Sequence, residues 1–448
     1  MKKTKIKNIS VIGLGKLGAP MVAAFASRGF QVIGLDQKSV PAQKLQNGIA
    51  PVLETDLQKF IRANKKRISA TEDYTRAILN SEITFVIVPT PSEIRGGLST
   101  KYVKAAAQRI GEALRKKTAF HVVSLTSTVL PGSTENDLIP VLEKHSGKKC
   151  GRDFGVTYNP EFIALGSVIK NLLHPDFTLI GESDKKTGDI LESFYNDLYE
   201  HTTSIKRMNI VNAEIAKIAL NTYVTTKISY ANMLAELCEK IPGANVDTVT
   251  DAIGTDTRIG TKYLKGAMGY AGPCFPRDNR AFSYAARKFG TRLLLAEATD
   301  TINKRQVKRI ATLIERHLKK NGKVGILGLA YKPDTNVVEE SQGVAIASLL
   351  SRRRVPITVY DPLAMDNARR VLGNKVHYAT SLKKCIAASN LVVITTPWEE
   401  FRKLSPALFK QGGHKRVLID CWKILNKNSF KTAGQYIALG VFREERAP

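Results

Sequence analysis

The chain has 448 residues, of which 43% are hydrophobic and 24% charged, and it carries a formal net charge of +28. This composition excludes a disordered chain, and the length predicts two or three domains because one hydrophobic core rarely serves more than about 300 residues. No apolar run reaches the roughly 18 residues of a membrane helix, and the basic amino terminus lacks a cleavage site, so we expect neither a membrane partner nor a secretory signal. Lysines and arginines are spread along the chain without aromatic interleaving, which favours attraction of an anionic small molecule over binding of a nucleic acid.

The cysteines are odd in number, scattered along the sequence and without a CxxC pair: Cys150, Cys238, Cys274, Cys385 and Cys421. This usage is typical of a reducing, cytoplasmic compartment and predicts neither a disulfide framework nor a metal site. All except Cys274 are interpreted as inert, small hydrophobic residues.

The amino-terminal segment predicts a dinucleotide-binding βαβ unit. A short apolar strand at residues 9–12 meets the glycine turn Gly13-Leu14-Gly15-Lys16-Leu17-Gly18, a helix follows at residues 21–27, and a second strand at residues 30–35 ends beside Asp36. Glycines in this pattern also mark ordinary tight turns. The order of strand, turn, helix, strand and acid is nevertheless that of nucleotide-binding folds.

The glycine turn is suited to hold a pyrophosphate. Gly13 permits the turn, Gly15 lets phosphates approach the backbone at a helix N-terminus, and Gly18 allows the helix to pack closely on the strand. The carboxylate of Asp36 would accept hydrogen bonds from both ribose hydroxyls and repel a 2′-phosphate. We therefore predict that NAD, rather than NADP, is bound by Gly13, Gly15, Lys16, Leu17, Gly18 and Asp36.

Two later loops follow predicted strands of the same sheet. Residues 83–88 and 120–125 are apolar runs typical of buried parallel strands. Ligands bind at the carboxyl ends of such strands, so we predict that Pro89 and Thr90 contact NAD and that Thr128 contacts NAD or a catalytic water. The alternative is that these prolines and threonines merely end the strands.

The rest of the chain repeats the α/β pattern after a helical region. Residues 209–239 lack glycine and proline and carry apolar residues at helical spacing, which predicts a long, largely buried helix. Helical material continues to about residue 320, and apolar runs from Val324 onward predict a second sheet. The predicted fold class is α/β, with two Rossmann-like, doubly wound parallel-sheet domains joined by a long central helix and a helical domain. The predicted boundaries are 1–205, 206–320 and 321–448.

Polar residues at a strand end and on the long helix are catalytic candidates. Glu161 lies in Asn159-Pro160-Glu161-Phe162, just past a strand predicted at residues 155–158. A glutamate at a helix start is also common as an ordinary surface residue. Lys217 and Asn221 are one helical turn apart on a face that is otherwise apolar, so both need partners. Together they suit the stabilisation of an oxyanion.

The most specific chemical signal is the loop Gly272-Pro273-Cys274-Phe275-Pro276-Arg277-Asp278. Oxidation of an alcohol to an aldehyde needs no thiol. Oxidation to an acid needs a nucleophile, because a planar aldehyde has no hydride to give until an adduct forms. Since Arg277 and Asp278 are near in sequence and the loop is stiff, we predict that Cys274 is a catalytic thiolate.

These motifs, together and in this order, resemble the UDP-glucose/GDP-mannose dehydrogenase family, whose members oxidise the C6 alcohol of a nucleotide-bound hexose to the acid with two NAD⁺. The resemblance spans almost the whole chain and includes residues 325–332. It implies that the carboxyl-terminal domain binds the nucleotide through Lys332. It also implies a homodimer, or a higher homo-oligomer, built on the long helix.

The resemblance implies roles for the candidate residues. Lys217, Asn221 and a water near Thr128 and Asp278 assist the first oxidation, and Cys274 then adds to the aldehyde. Lys217 and Asn221 hold the oxyanion of the adduct, and Glu161 activates the water that hydrolyses the final thioester. Arg277 is implied as a cofactor contact. The implied substrate contacts are Glu161, Phe162, Lys217, Asn221, Arg258, Tyr263, Gly269, Phe275 and Lys332.

The identity of the sugar is less directly marked. The stretch at residues 256–260 resembles the UDP-glucose branch, in which an arginine, here Arg258, reaches the sugar site of a neighbouring subunit. Leu165, Glu339 and Trp422 depart from the family pattern at positions in the nucleotide-sugar half. UDP-glucose is therefore the favoured substrate, with another UDP-hexose, a UDP-N-acetylhexosamine or GDP-mannose as alternatives.

Two other functions fit the amino-terminal motif. A two-electron dehydrogenase of the 6-phosphogluconate or 3-hydroxyacyl kind has a similar first domain, but its reaction needs no covalent thiol. A regulatory protein that binds NAD without catalysis would use Glu161, Lys217 and Asn221 structurally. Cys274 favours the four-electron enzyme over both.

Overall fold

The computed structural model describes residues 6–410 and 415–443 of the chain. The fold divides into two compact units, Met1–Ala219 and Leu220–Pro448. This division lies inside the long helix. The predicted three-part boundaries at 205 and 320 stay a prediction.

The first unit contains an eight-stranded sheet in the order β3-β2-β1-β4-β5-β6-β7-β8. All neighbouring strands are parallel except β6 and β7, which are antiparallel. Its strands are β1 (Asn8–Ile12), β2 (Gln31–Leu35), β3 (Ile68–Thr71), β4 (Ile83–Val86), β5 (Val122–Leu125), β6 (Gly155–Tyr158), β7 (Phe177–Glu182) and β8 (Ser204–Asn209).

Helices cover both faces of this sheet, as expected for buried parallel strands. On one face the rings of Phe25, Phe85 and Phe194 pack together at centroid distances of 5.1–5.4 Å. The helices are α1 (Gly18–Ser27), α2 (Ser39–Gln46), α3 (Leu57–Ala63), α4 (Tyr74–Leu79), α5 (Lys101–Leu114), α6 (Ile139–Ser146), α7 (Val168–Leu173), α8 (Lys185–Leu198) and α9 (Ile210–Cys238), the last of which continues into the second unit.

The second unit contains a six-stranded, parallel sheet in the order β11-β10-β9-β12-β13-β14, the same order as the first six strands of the first sheet. Its strands are β9 (Val324–Leu327), β10 (Ile357–Tyr360), β11 (His377–Tyr378), β12 (Leu391–Ile394), β13 (Arg416–Asp420) and β14 (Gly434–Ala438). Its helices are α10 (Val246–Thr255), α11 (Phe275–Lys288), α12 (Leu294–His317), α13 (Gln342–Arg352), α14 (Met365–Leu372), α15 (Leu382–Ala387), α16 (Glu399–Arg402), α17 (Ala407–Lys410) and α18 (Lys427–Lys431).

The predicted fold class is confirmed, and the predicted inner strands lie in the two sheets within one or two residues of their expected bounds. The sequence did not predict β3, β7, β8, β11 and β14, which lie at or next to sheet edges and are partly polar. Most residues of the long helix α9 are buried or half-buried, but several large apolar side chains on one of its faces are exposed. In the described part of the chain, no helix is both long and apolar enough to cross a membrane.

The same close approach of helix to strand occurs in both sheets. Gly13 and Gly328 have φ values of +98° and +110°, and their carbonyls face the first turns of α1 and α13. A Cβ at Gly18 would lie 1.8 Å from the carbonyl oxygen of Gly13, and a Cβ at Gly343 would lie 2.3 Å from that of Gly328. Only glycine fits at these two helix positions.

We expect the substitution Gly343→Ala to lower the free energy of unfolding of the second unit by about 1–3 kcal/mol, because the new methyl group forces α13 away from β9. Both tryptophans, Trp398 and Trp422, lie in this unit, so urea unfolding followed by tryptophan fluorescence reports on it. Ser348→Ala on the same helix is the matched control. An unchanged unfolding midpoint for Gly343→Ala would contradict the close packing.

Candidate active site

The glycine turn has the backbone that a nucleotide-binding turn requires. A Cβ at Gly13 would lie 2.1 Å from the carbonyl oxygen of Ile87, whereas no atom lies within 4 Å of a Cβ position at Gly15. Gly15 and Lys16 are exposed, and Leu17 is the N-cap residue of α1, which no side chain caps among the described residues. The turn therefore leaves open backbone at a helix N-terminus, where phosphate groups bind well.

Asp36 lies at the end of β2 beside this turn. Its Oδ2 accepts a hydrogen bond of 2.8 Å from the backbone N–H of Leu14, and its Oδ1 accepts one of 2.9 Å from the N–H of Lys38. Each carboxylate oxygen has two lone pairs, so both retain acceptor capacity. The half-buried carboxylate is thus fixed next to the turn and suited to accept ribose hydroxyls.

The second sheet has an acid at the corresponding place, after β10. Asp361 is 1% exposed, and its carboxylate accepts hydrogen bonds of 2.7–3.1 Å from five donors within its own unit. The donors are the backbone N–H groups of Leu329, Ala330, Leu363 and Ala364 and the indole N–H of Trp398. This acid is a structural link between three loops.

The loops that follow β4 and β5 are tied together at the carboxyl edge of the first sheet. The hydroxyl of Thr90 donates to the carbonyl oxygen of Thr128 at 2.7 Å. The hydroxyl of Ser127 accepts from the N–H of Val88 at 2.9 Å and donates to its carbonyl oxygen at 2.7 Å. Thr90 is buried, Thr128 is half-buried and Pro89 is exposed. These bonds fix Pro89 and Thr128 on neighbouring loops.

A residue that the sequence analysis missed, Glu214 on α9, holds the next part of this loop. Its fully buried carboxylate accepts the N–H of Gly132 at 2.6 Å, and the N–H and hydroxyl of Thr134 at 2.8 and 2.6 Å. Burial raises the pKa of Glu214, and these three donors oppose that rise. Glu214 therefore acts as a clamp on the loop after Thr128.

Glu161 occupies an aromatic and poorly hydrated position after β6. Burial raises the pKa of its carboxyl to about 8, against the opposing effects of the Lys217 charge and a hydrogen bond with Tyr195. The Tyr195 hydroxyl also donates to the side-chain carbonyl of Asn159, and its ring stacks on that of Tyr199. A carboxyl with this pKa exchanges protons readily near neutral pH.

Lys217 is buried, and its neighbours belong to the Glu161 segment. Its ammonium donates to the backbone carbonyl oxygen of Glu161 at 2.6 Å and lies 4.5 Å from the centre of the Phe162 ring. Lys217 was expected from the sequence to need partners, and these contacts supply them. They bring three of the predicted site residues of the first unit together.

Cys274 is the N-cap residue of α11, and its side chain is exposed. Pro276 occupies the first turn, and the N–H of Asp278 donates to the carbonyl oxygen of Cys274 at 2.8 Å. No side-chain hydrogen bond caps this helix within the described residues. The thiol therefore lies at the positive end of a helix, where a negative charge is stabilised.

Behind Cys274, the buried carboxylate of Asp278 joins two other predicted residues. Its Oδ2 accepts the side-chain amide of Asn221 at 2.7 Å, and its Oδ1 accepts the guanidinium of Arg277 at 2.8–2.9 Å. Asn221 is 6% exposed and Asp278 is 0% exposed. This arrangement fixes the first turn of α11 relative to α9.

Residues from the loop after β9 support the cysteine loop. Gly272 has φ +85°, a Cβ there would lie 2.6 Å from the Tyr331 ring, and its N–H donates to the carbonyl oxygen of Glu339 at 3.1 Å. A Cβ at Gly269 would lie 2.2 Å from Oδ1 of Asn303. Gly269 thus permits close packing against Asn303. The hydrogen bond of Gly272 fixes the backbone two residues before Cys274.

The remaining predicted substrate residues lie in the second unit. Phe275 packs edge-on against Tyr263 at 6.2 Å. Arg258 is exposed, and its guanidinium donates three hydrogen bonds to the carboxylate of nearby Asp256, an arrangement that leaves its side chain at the surface. Lys332 is half-buried in the loop between β9 and α13.

The other cysteines differ from Cys274. Burial raises the pKa of every one of their thiols, and that of Cys385 to about 12. None of the cysteines, all of which lie among the described residues, forms a disulfide. Across residues 6–410 and 415–443, no group of three or more His, Cys, Asp or Glu side chains is arranged to hold a metal ion.

Models of one protein family match most of the chain. Residues 7–199, 211–305 and 325–427 match the NAD binding domain, the central domain and the UDP binding domain of the UDP-glucose/GDP-mannose dehydrogenase family. The NAD binding domain confirms the predicted cofactor.

Relatives match over nearly their whole length. The UDP-glucose 6-dehydrogenase AglM of Haloferax volcanii is 32% identical over 94% of this chain and 97% of its own, and the GDP-mannose 6-dehydrogenase of Pseudomonas putida is 32% identical over 95% and 98%. The solved structure of a UDP-glucose dehydrogenase from Pyrobaculum islandicum is 30% identical, covers 98% of this chain and 99% of its own, and superimposes with a TM-score of 0.89. The chain therefore belongs to the UDP-glucose/GDP-mannose dehydrogenase family of NAD-dependent nucleotide-sugar 6-dehydrogenases.

Proposed function

We propose that this chain is a UDP-glucose 6-dehydrogenase, which oxidises the C6 alcohol to a carboxylate in two NAD-dependent steps through a thioester on Cys274. The observation that carries the proposal is the exposed Cys274 thiol at the N-terminus of α11, backed by the buried Asp278 with its two donors. A two-electron dehydrogenase has no use for such a thiolate.

The first oxidation requires the C6 hydroxyl to lose its proton as the hydride departs. NAD⁺ held by the glycine turn supplies the hydride acceptor for both oxidations. We assign acceptance of the proton to a water held near Thr128 and Asp278. Thr128 supports this role because its loop is tied to Thr90, and Asp278 because its carboxylate is fixed by Asn221 and Arg277.

The thiol step follows at the aldehyde. The Cys274 thiolate forms a C–S bond with the aldehyde carbon, and the carbonyl oxygen becomes an oxyanion. We assign its stabilisation to Lys217 and Asn221, one turn apart on α9, since an ammonium has three N–H donors and an amide two. Departure of the second hydride from the same carbon then leaves a thioester.

Hydrolysis of the thioester completes the reaction. Water attacks the thioester carbon, the C–S bond breaks, and the products are the carboxylate and the Cys274 thiol. We assign Glu161 as the base that accepts the proton of this water. Its raised pKa of about 8 suits a residue that must take up and release a proton in each cycle.

The choice of UDP-glucose rests on the sequence around Arg258. Relatives over the whole chain include both UDP-glucose and GDP-mannose enzymes, and the stretch around Arg258 resembles the former. At two positions that depart from the family pattern, the side chain is committed elsewhere: Leu165 packs on the apolar core of the first unit, and the Trp422 indole donates to the carbonyl oxygen of Thr395 at 2.9 Å. At the third, Glu339 uses its backbone oxygen to hold Gly272.

NADH formation with a panel of nucleotide sugars tests the proposal. We expect UDP-glucose to be oxidised faster than UDP-galactose, UDP-N-acetylglucosamine, UDP-N-acetylmannosamine and GDP-mannose, with two NADH formed per sugar. One NADH per sugar would exclude the four-electron reaction, and faster oxidation of another sugar would replace UDP-glucose.

The substitution Cys274→Ser isolates the thiol step. We expect at most one NADH per active site and no release of acid, measured by single-turnover absorbance and mass spectrometry of the products. Cys150→Ser is the matched control, since the Cys150 thiol is half-buried with a raised pKa. Continuous turnover by Cys274→Ser would favour a two-electron dehydrogenase.

The pKa of Glu161 gives a pH dependence with a defined sign. A base acts in its deprotonated form, so the rate of thioester hydrolysis should rise with pH and level off above about 8. Glu161→Gln should lower this rate by about 100-fold or more and abolish the rise, so that acyl-enzyme accumulates. The exposed Glu72→Gln serves as a control. A pH profile unchanged by Glu161→Gln would remove Glu161 from this step.

A homodimer on α9 is part of the proposal. On α9, Tyr223, Tyr230, Met233 and Leu237 recur at helical spacing and are 46–62% exposed, and Ile241, just past the end of the helix, is 47% exposed. A row of large apolar side chains on one helix face is typical of an association surface.

The double substitution Tyr230→Glu and Leu237→Glu should therefore convert the protein to monomers, because burying a carboxylate in an apolar interface is unfavourable. Sedimentation equilibrium measures the mass. Lys308→Glu, an exposed change on α12, should leave the dimer intact. A dimer that survives the double substitution would place the interface elsewhere.

A further inference from the structure

Charge in the carboxyl-terminal sheet is separated between its two edges. The six strands β9–β14 are parallel, so all their amino ends lie at one edge and all their carboxyl ends at the other. Exposed cations gather at the amino edge, in the segments that end α12, α13 and α14 or precede a strand. We call this surface the basic edge; its central members are Lys320, Lys323, the arginines at 352–354, Arg370 and Lys375.

Acidic side chains are at the other edge. From Val324 to residue 443, every described aspartate and glutamate ends a strand or lies in the loop or first helical turn that follows a strand. Glu315, in the last turn of α12, is near the basic edge, and its carboxylate is paired with Arg353 at 2.5 Å. The basic edge therefore keeps a large positive surplus.

Hydrogen bonds join the basic segments into one continuous surface. Lys323 and Asn390 exchange two hydrogen bonds of 2.8 Å, which connect the segments before β9 and β12. The hydroxyl of Ser351, beside the arginines at 352–354, donates to the carbonyl oxygen of Lys375 at 3.2 Å. Because neighbouring strands lie about 4.8 Å apart, the segments before the adjacent strands β11, β10, β9 and β12 extend over roughly 14 Å of this edge.

We propose that the basic edge docks on an anionic phospholipid surface. A broad row of lysines and arginines on one side of a domain matches the negative headgroups of such a surface, and each cation near it raises binding about fivefold. Val371, beside Arg370, is 58% exposed and adds an apolar side chain that the headgroup region accommodates. The aromatic ring of Tyr378 is covered by Arg369 at 4.7 Å, so it offers no platform for stacking nucleic-acid bases.

A lipid-docking surface differs from the expectation that the protein has no membrane partner, which rested on the absence of an apolar span. Folding gathers charges that are spread in the sequence. In this orientation the carboxyl edge, which carries the Lys332 loop and the acids, faces away from the lipid. Ligands bind at the carboxyl edge of such sheets, so docking leaves that edge accessible.

Co-sedimentation with lipid vesicles tests the proposal on the full-length protein. We expect binding to vesicles of phosphatidylglycerol and phosphatidylcholine, no binding to vesicles of phosphatidylcholine alone, and loss of binding as salt rises well above about 0.1 M. The variant Lys320→Gln, Arg352→Gln, Arg370→Gln and Lys375→Gln should bind at least about 100-fold more weakly.

A second variant with equal charge loss is the control: Lys59→Gln, Lys66→Gln, Lys170→Gln and Lys288→Gln, all exposed and outside the segments that form the basic edge. It should bind vesicles like the parent protein, and both variants should oxidise the nucleotide sugar at the parent rate. Equal loss of binding in the two variants, or no binding of the parent to anionic vesicles at low salt, would overturn the proposal. Tighter binding to a random-sequence duplex oligonucleotide than to anionic vesicles would assign the basic edge to nucleic acid.

Discussion

In both sheets, the first turn of a helix lies directly against the turn that follows a strand, with no Cβ between the two backbones. The packing of both sheets depends on this contact. At Gly18 and Gly343 a single methyl group would overlap a carbonyl oxygen of the preceding turn. The first contact places the N-terminus of α1 next to the open backbone at Gly15, where a phosphate group has room to bind. The second fixes α13 against β9, so that the long loop between them, with Tyr331 and Glu339, reaches the cysteine loop.

Helix α9 holds the segments that carry the candidate catalytic residues. Its buried polar residues each hold a different segment: Glu214 clamps the loop after Thr128, Lys217 binds the backbone at Glu161, and Asn221 holds Asp278. Each of these residues is buried, so each contact is also required for stability, since an unpaired polar group there would be costly. The contacts of α9 that position these segments therefore also stabilise the fold.

The sequence predicted features that depend on local pattern. The glycine turn with Asp36, the inner strands and the stiff loop of Cys274 each combine neighbouring residues whose types report their conformation. Glu214 was missed because its partners are about 80 residues away in the chain and an acid inside a helix has no local signature. The raised pKa of Glu161 was equally hidden, since the burial that raises it exists only in the folded chain. The edge strands were missed because their exposed faces remove the apolar run.

The saturated carboxylate of Asp361 has a consequence for the order of events in the cycle. Its position matches that of Asp36, but its acceptors are already used by its own backbone and Trp398, so it cannot receive a ribose in the way that Asp36 can. The duplicated sheet thus does not duplicate the dinucleotide site. A reaction that removes two hydrides from one sugar must then empty and refill a single cofactor site midway. In the proposed mechanism, a covalent bond to Cys274 would keep the half-oxidised sugar on the enzyme during that exchange, so the thiol would serve as a tether as well as a nucleophile.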